Sequence, residues 1–186
     1  MSLRLSGGRR LHSPPGHTAR PTPARVRLAV MNMLSNNLRG CRWLDLFCGS
    51  GVMGCEALQH GARTVVAVDQ NRAMATTARR NLEMVAAALN PQPEVEIHTQ
   101  EVLRWLEQSR TNAPTPFELI YADPPYAAGL YETVLRAVES GGLLRANGRI
   151  ILECSSTAIP ELPAEGWQLI RQKRYGSSTV LVLEPS

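Results

Sequence analysis

The order of apolar segments in this chain predicts a doubly wound α/β fold built on a seven-stranded, mainly parallel sheet. Three observations predict it. Strand-like and helix-like segments alternate through residue 154, the pattern of a parallel sheet covered on both faces. A G-x-G-x-x-G turn, Gly49-Ser50-Gly51-Val52-Met53-Gly54, joins the first strand to the helix after it. Two last runs, 167–175 and 178–184, flank Gly176-Ser177 and read as a closing hairpin that adds one antiparallel strand.

Taken in order, residues 1–22 are rich in Gly, Pro and Arg and read as a loop or short hairpin over the body. Thr22 and Pro23 suit an N-cap and a first helical turn. Val26, Ala29, Val30, Met33 and Leu34 then make one helical face, with Arg25 and Arg27 on others, until Asn36-Asn37 and Gly40 end the helix. Residues 41–47 form the first strand, and a helix from 51 to 60 is closed by Gly61. The β-branched run 64–69 is a buried strand, followed by an alanine-rich helix over 72–89 that Asn90-Pro91-Gln92-Pro93 breaks. A short strand at 94–98, a helix at 101–109 and a strand at 117–122 come next. A helix over 130–140 and a strand from Arg149 to Cys154 complete the alternation.

Charge is distributed unevenly. Eight arginines precede the first acidic residue, Asp45, whereas the rest of the chain has twelve basic and sixteen acidic residues. A basic arm on a mildly acidic body suits an anionic partner docking beside the body. The chain therefore divides into an arm over 1–22 and a domain over 23–186. No apolar run approaches the ~20 residues that span a bilayer, so a cytoplasmic protein without a membrane segment is expected. Cys41, Cys48, Cys55 and Cys154 show no C-x-x-C spacing, and no histidine joins them at ligand spacing. They read as reduced, mostly buried thiols, and no metal is implied.

The glycine turn fits either a dinucleotide or a nucleoside ligand, since its glycines allow a sharp bend and a close approach to the backbone. Asp45, four residues before Gly49, favours the second. A pyrophosphate seeks the positive end of the helix, where a carboxylate would oppose it. S-adenosylmethionine carries an ammonium and a sulfonium instead, which an acid suits. Asp69, at the end of the next strand, falls where a carboxylate accepts ribose hydroxyls from either ligand.

Asp123-Pro124-Pro125-Tyr126 closes the fourth strand and is the strongest signal in the chain. An exocyclic base amine is a poor nucleophile because its lone pair is delocalised. A carboxylate and a backbone carbonyl that accept its two N–H bonds draw the nitrogen toward sp³. Prolines fix φ and remove donors, and Tyr126 offers a flat face on which an extruded base stacks. Methyl transfer is then an in-line displacement helped by positioning and electrostatics. A DNA amino-methyltransferase shares both motifs but usually needs a recognition domain. A protein-glutamine methyltransferase usually has Asn ahead of Pro-Pro-Tyr. A hydride-transfer enzyme has no use for that turn, and a non-catalytic RNA-binding protein of the same fold stays open.

With these motifs the chain resembles the bacterial 16S rRNA guanine-N2 methyltransferases of the RsmD type. The resemblance rests on Arg4-Leu5-Ser6-Gly7-Gly8, Arg20-Pro21-Thr22, Val26-Arg27, Asn32-x-Leu34, the segment from Asp45 to Leu58, and Asp123-Pro124-Pro125-Tyr126. It implies a Rossmann-like class I methyltransferase fold with S-adenosylmethionine as donor and S-adenosylhomocysteine as product. The implied substrate is 16S rRNA, in the small subunit or its precursor, met by a monomer. Asp45, Phe47, Gly49, Ser50, Gly51, Asp69, Gln70, Glu101 and Val102 would line the cofactor, with Glu101 at the polar position facing the adenine. Asp123, Pro124, Pro125 and Tyr126 would hold the base, and Arg4, Arg9, Arg10, Arg20 and Arg25 the RNA. The amino-terminal hairpin is shorter than the family's, and Leu28 replaces an acid usual after Val26-Arg27.

Overall fold

The computed structural model describes residues 3–14, 22–112, 115–125, 130–163 and 165–186. Helices α1 (Ala24–Met33) and α2 (Ser35–Leu38) lead into β1 (Arg42–Leu46). Then follow α3 (Val52–Gln59), β2 (Thr64–Asp69), α4 (Arg72–Ala86), β3 (Glu94–Thr99), α5 (Val102–Asn112) and β4 (Phe117–Ala122). Helix α6 (Leu130–Ser140), β5 (Leu144–Ser155), β6 (Trp167–Tyr175) and β7 (Ser178–Pro185) complete the chain. One seven-stranded sheet runs in the order β3-β2-β1-β4-β5-β7-β6. Strands β1 to β5 are parallel to their neighbours, and β7 alone runs against them, inserted between β5 and β6.

Both sheet faces are covered, as parallel strands require. One face packs on α1, α3 and α4 through Val26, Val30, Met31, Leu58, Leu82 and Val85. The other packs on α5 and α6 through Leu106, Val134, Leu135 and Val138. The strand order reverses between β1 and β4, after β1–β2–β3 have been laid outward on one side. The crevice beyond the strands' carboxyl ends at such a switch point is where this architecture takes ligands.

The amino-terminal segment forms a short antiparallel ribbon. Arg4 bridges Arg10, and Leu5 and Leu11 donate N–H bonds to the Arg9 and Leu3 carbonyls at 2.9 Å. Leu3, Leu5 and Leu11 are buried in the core cluster that contains α1.

Several local expectations are corrected. Thr22 makes no side-chain cap for α1, which begins after Pro23. The helix stops at Met33 and restarts as α2 one residue after Leu34. Arg27, which lies off the apolar stripe, is buried all the same: it is 4% exposed, and its Nε lies 3.1 Å from Oε1 of the fully buried Glu56. The ribbon explains this, since it covers a side of α1 that water would otherwise reach. Arg27 also donates to the Thr22 and Arg4 carbonyls, while the Ser6 N–H and hydroxyl both reach Glu56 Oε1 at 3.0 Å. Helix α5 runs to Asn112, and β5 begins five residues before Arg149.

Candidate active site

Three acidic residues gather at the carboxyl ends of adjacent strands. Asp45 pairs with Ala67 and Tyr121, Asp69 ends β2, and Asp123 follows β4 directly. Between β1 and α3 the chain bends through three left-handed residues, Phe47 (φ 59°), Gly49 (φ 54°) and Gly51 (φ 73°). Such a conformation is strained for Phe47 and free for glycine. The Cys48 N–H donates to the Val68 carbonyl at 3.1 Å, and the Gly49 N–H to Asp69 Oδ2 at 2.8 Å. The turn is thereby tied to the end of β2.

The three glycines of the turn have different roles. A Cβ on Gly49 would meet nothing within 4 Å, so a ligand has room there. At Gly51 it would lie 3.0 Å from Ala78 Cβ and 3.1 Å from its Cα, and at Gly54 only 2.9 Å from Val65 Cγ1. Those two let α3 seat against α4 and β2. Ser50 is buried, and its carbonyl accepts from Asn81 Nδ2 at 3.0 Å. Asn81 also exchanges hydrogen bonds with the His12 backbone at 2.8 and 3.1 Å, linking the turn to the ribbon. Asn81 lies within an alanine-rich helix, and nothing in its spacing announces this role.

Asp45 is 1% exposed, and its Oδ2 accepts the Gly54 N–H at 3.0 Å, inside the first turn of α3. Burial pushes its carboxyl up to about 7; the Gly54 bond opposes the shift, and the charges of Asp69 and Asp123 add to it. Asp69 accepts from Gly49 through one oxygen and from Asn71 through the other, both at 2.8 Å. Gln70 beside it is exposed. Glu101 accepts the Leu103 and Arg104 N–H groups at 3.0 and 2.8 Å, so its carboxylate caps α5, and Val102 is buried beneath.

Asp123 is half-buried, Pro124 buried and Pro125 exposed, while Tyr126 lies outside the described residues. Burial, and then the charge of Glu153, raise the Asp123 carboxyl to about 7. Glu153, 3% exposed on β5, is the site residue that sequence reasoning missed. By register it lies one step past the Ala122–Leu152 pair, as Asp123 does on β4. It accepts the Tyr121 hydroxyl, and its own carbonyl accepts the Tyr131 hydroxyl at 3.1 Å. The signal was an acid inside the apolar run Ile150-Ile151-Leu152-Glu153-Cys154. The Tyr121 hydroxyl also meets the side chain of Thr22, which therefore reaches into the site instead of capping α1.

The described candidate RNA contacts fall on the ribbon and on α1. Arg4 and Arg10 are exposed on the ribbon, Arg9 is half-buried with Nη1 3.5 Å from the Met84 carbonyl, and Arg25 lies over the Tyr175 ring. Arg20 lies outside the described residues. All four cysteines are buried free thiols. Among the described residues no group of three or more His, Cys, Asp or Glu could hold a metal ion, and no helix is long and apolar enough to cross a membrane.

Comparison with known proteins gives a consistent picture. Residues 5–184 match the family described as conserved hypothetical protein 95. Ribosomal RNA small subunit methyltransferase D of Escherichia coli K12 is 30% identical over 170 residues, 91% of this chain and 81% of its own. The solved structure of Escherichia coli yhhF superposes with a TM-score of 0.82 at 29% identity, over 100% of this chain and 99% of that one. SMU.776, solved in complex with SAH, shares the fold at 16% identity and a TM-score of 0.65, over 87% of this chain and 48% of its own.

Proposed function

We propose a reaction from one premise: the chain belongs to the conserved hypothetical protein 95 family of RsmD-like small-subunit rRNA methyltransferases. The reaction is methyl transfer from S-adenosylmethionine to the exocyclic N2 amine of a guanine in 16S rRNA. One observation carries it: Asp123-Pro124-Pro125 stands at the end of β4, beside a glycine turn whose first glycine is open. The relatives' names and the SAH-bound neighbour of the same fold support the substrate and the donor.

The residues present fit the donor. Gly49 leaves space for an approach to the backbone, and the acids around it suit a ligand that carries cationic groups and no phosphate. Asp45, Phe47, Gly49, Ser50 and Gly51 would hold the methionine end, Asp69 and Gln70 the ribose, and Glu101 and Val102 the adenine. When bound, S-adenosylmethionine supplies an electrophilic methyl group. Asp123 and a backbone carbonyl of the proline turn accept the two N–H bonds of the guanine amine and aim its lone pair. As the amine took up that methyl group its nitrogen would gain positive charge, which Asp123 would offset. The nitrogen then sheds one proton. With its carboxyl raised to about 7, Asp123 accepts that proton near neutrality and passes it to solvent. Burial and then the charge of Glu153, which accepts the Tyr121 hydroxyl, raise that proton affinity. The arm over 1–22 serves as the RNA-docking segment.

Purified protein, labelled S-adenosylmethionine and small-subunit particles lacking the modification supply the test. Nucleoside mass spectrometry should find N2-methylguanosine in the 16S rRNA. Methylation confined to another base, or tight NAD binding without S-adenosylmethionine binding, removes the reading.

A further inference from the structure

We infer that the tip of the β6–β7 hairpin is a second clamp for the sugar–phosphate backbone of the RNA, placed beside the strand ends that receive the base. The inference rests on the rRNA reading above. Register puts the tip there: Ser178 pairs with Ser155 at the end of β5 and with Tyr175 across the hairpin. The Ser156 N–H donates to the Ser177 carbonyl at 2.8 Å and fixes the tip over that end. Strand β5 is the neighbour of β4, which Asp123 closes, so the tip borders the candidate active site.

The chemistry of the tip suits phosphate. Tyr175 gathers two cations, with Lys173 Nζ 5.7 Å and Arg25 Cζ 6.0 Å from its ring centroid. Arg25 comes from the first turn of α1, and a Cβ on Gly176 would lie 3.7 Å from its Nη2. Arg174 donates from Nε to the Gly176 carbonyl at 3.0 Å, which leaves its two Nη groups for a ligand. Arg171, Lys173 and Arg174 are exposed, and Arg171 and Lys173 share the strand face of Tyr175 by two-residue alternation. Among the described residues, none of these four cations has a carboxylate within 4.0 Å. Charge on an edge strand also discourages strand pairing between molecules. That purpose does not require an aromatic ring to assemble cations from two separate elements at the mouth of a site.

The test measures binding of a fluorescent 16S rRNA fragment as salt is varied. Lys173→Gln with Arg174→Gln should weaken binding about ten-fold and lower the slope of log affinity against log salt by about two units, one for each phosphate no longer neutralised. S-adenosylmethionine affinity, read by calorimetry, should hold and certify the fold. Tyr175→Leu leaves the net charge unchanged and should still weaken RNA binding several-fold, because the two cations lose their support. Arg104→Gln with Arg110→Gln, on α5 across the sheet, is the charge-matched control. Wild-type affinity and slope in the Lys173/Arg174 variant overturn the clamp, and so does an equal loss in the control. Failure of the rRNA reading looks different: the unaltered chain would bind the rRNA fragment no better than a DNA duplex of equal length.

Discussion

Asp45 and Asp123 both hold their protons to about pH 7, chiefly because both are buried, yet they are placed for different tasks. Asp45 is locked onto the Gly54 N–H, while Asp123 sits at the mouth with Glu153 behind it. Asp123→Asn keeps an acceptor for the amine but loses the charge that offsets a developing cation. Turnover on rRNA should fall about 10²–10³-fold, as for other preorganised electrostatic groups, with donor affinity nearly intact. Single-turnover rates within three-fold of the unaltered protein would remove Asp123 from the chemistry. Asp45 carries a consequence for stability. Its carboxyl ionises near 3.8 when exposed and near 7 in the fold, so between those values the folded chain binds more protons. The stabilisation is complete below about pH 4 and is lost as pH rises through 7. Asp45→Asn, whose amide oxygen still accepts from Gly54, should therefore flatten the decline in Tm between pH 5 and pH 8. Thermal melts that show the same decline in both proteins would place Asp45 in the ordinary carboxylate range.

At the scale of elements, α1 shows how far patterning reaches. Val26, Val30 and Leu34 were legible as a core stripe because they repeat at helical spacing. The burial of Arg27 was not, because its side of the helix is covered by the ribbon, whose course no local pattern encodes. Thr22 read as a cap for the same reason: its preference is local, and the partner that wins, Tyr121, is far along the chain. Strands β2 and β4 and helix α6 emerged with their bounds intact, since β-branched content in β2, the prolines around β4 and the glycines around α6 need no tertiary information. The glycine turn and Asp123-Pro124-Pro125 were legible as motifs, whereas Glu153 required the β4–β5 register to place it. The buried Arg27–Glu56 pair is the costliest of these features to disturb. Glu56 Oε1 collects Arg27 and Ser6, and Oε2 has no partner among the described residues. Arg27→Met leaves an uncompensated charge in the core and should cost about 3–5 kcal/mol. Denaturant unfolding that shows a loss below about 1 kcal/mol would mean that water reaches the pair.

Around the candidate site, at the scale of the whole molecule, buried acids are ringed by exposed cations. Asp45, Asp123 and Glu153 lie at the strand ends inside the crevice, and exposed arginines stand on the ribbon, on α1 and on β6. A polyanion thus meets positive charge before it meets the acidic interior. The arrangement is sharpest on the ribbon. Arg4 and Arg10 are bridge partners, so two like charges lie opposite each other on an exposed ribbon, and neither is within 4.0 Å of a described carboxylate. Opposed like charges destabilise an antiparallel pair, and a phosphate between them would relieve the repulsion. Deleting residues 1–22 cannot isolate this effect, because it also removes Leu3, Leu5 and Leu11 from the core, each worth about 1.5–3 kcal/mol. Arg4→Gln with Arg10→Gln separates the two roles and should move stability and binding in opposite directions. The Tm should hold or rise slightly as the repulsion goes. The slope of log affinity for 16S rRNA against log salt should fall by about two units, and S-adenosylmethionine affinity should not change. A variant that melts higher but binds rRNA with the original slope would show that the ribbon packs the core without touching RNA. One that melts lower by more than a few degrees would show that the two arginines hold the ribbon together, and the docking role would pass to α1 and the hairpin.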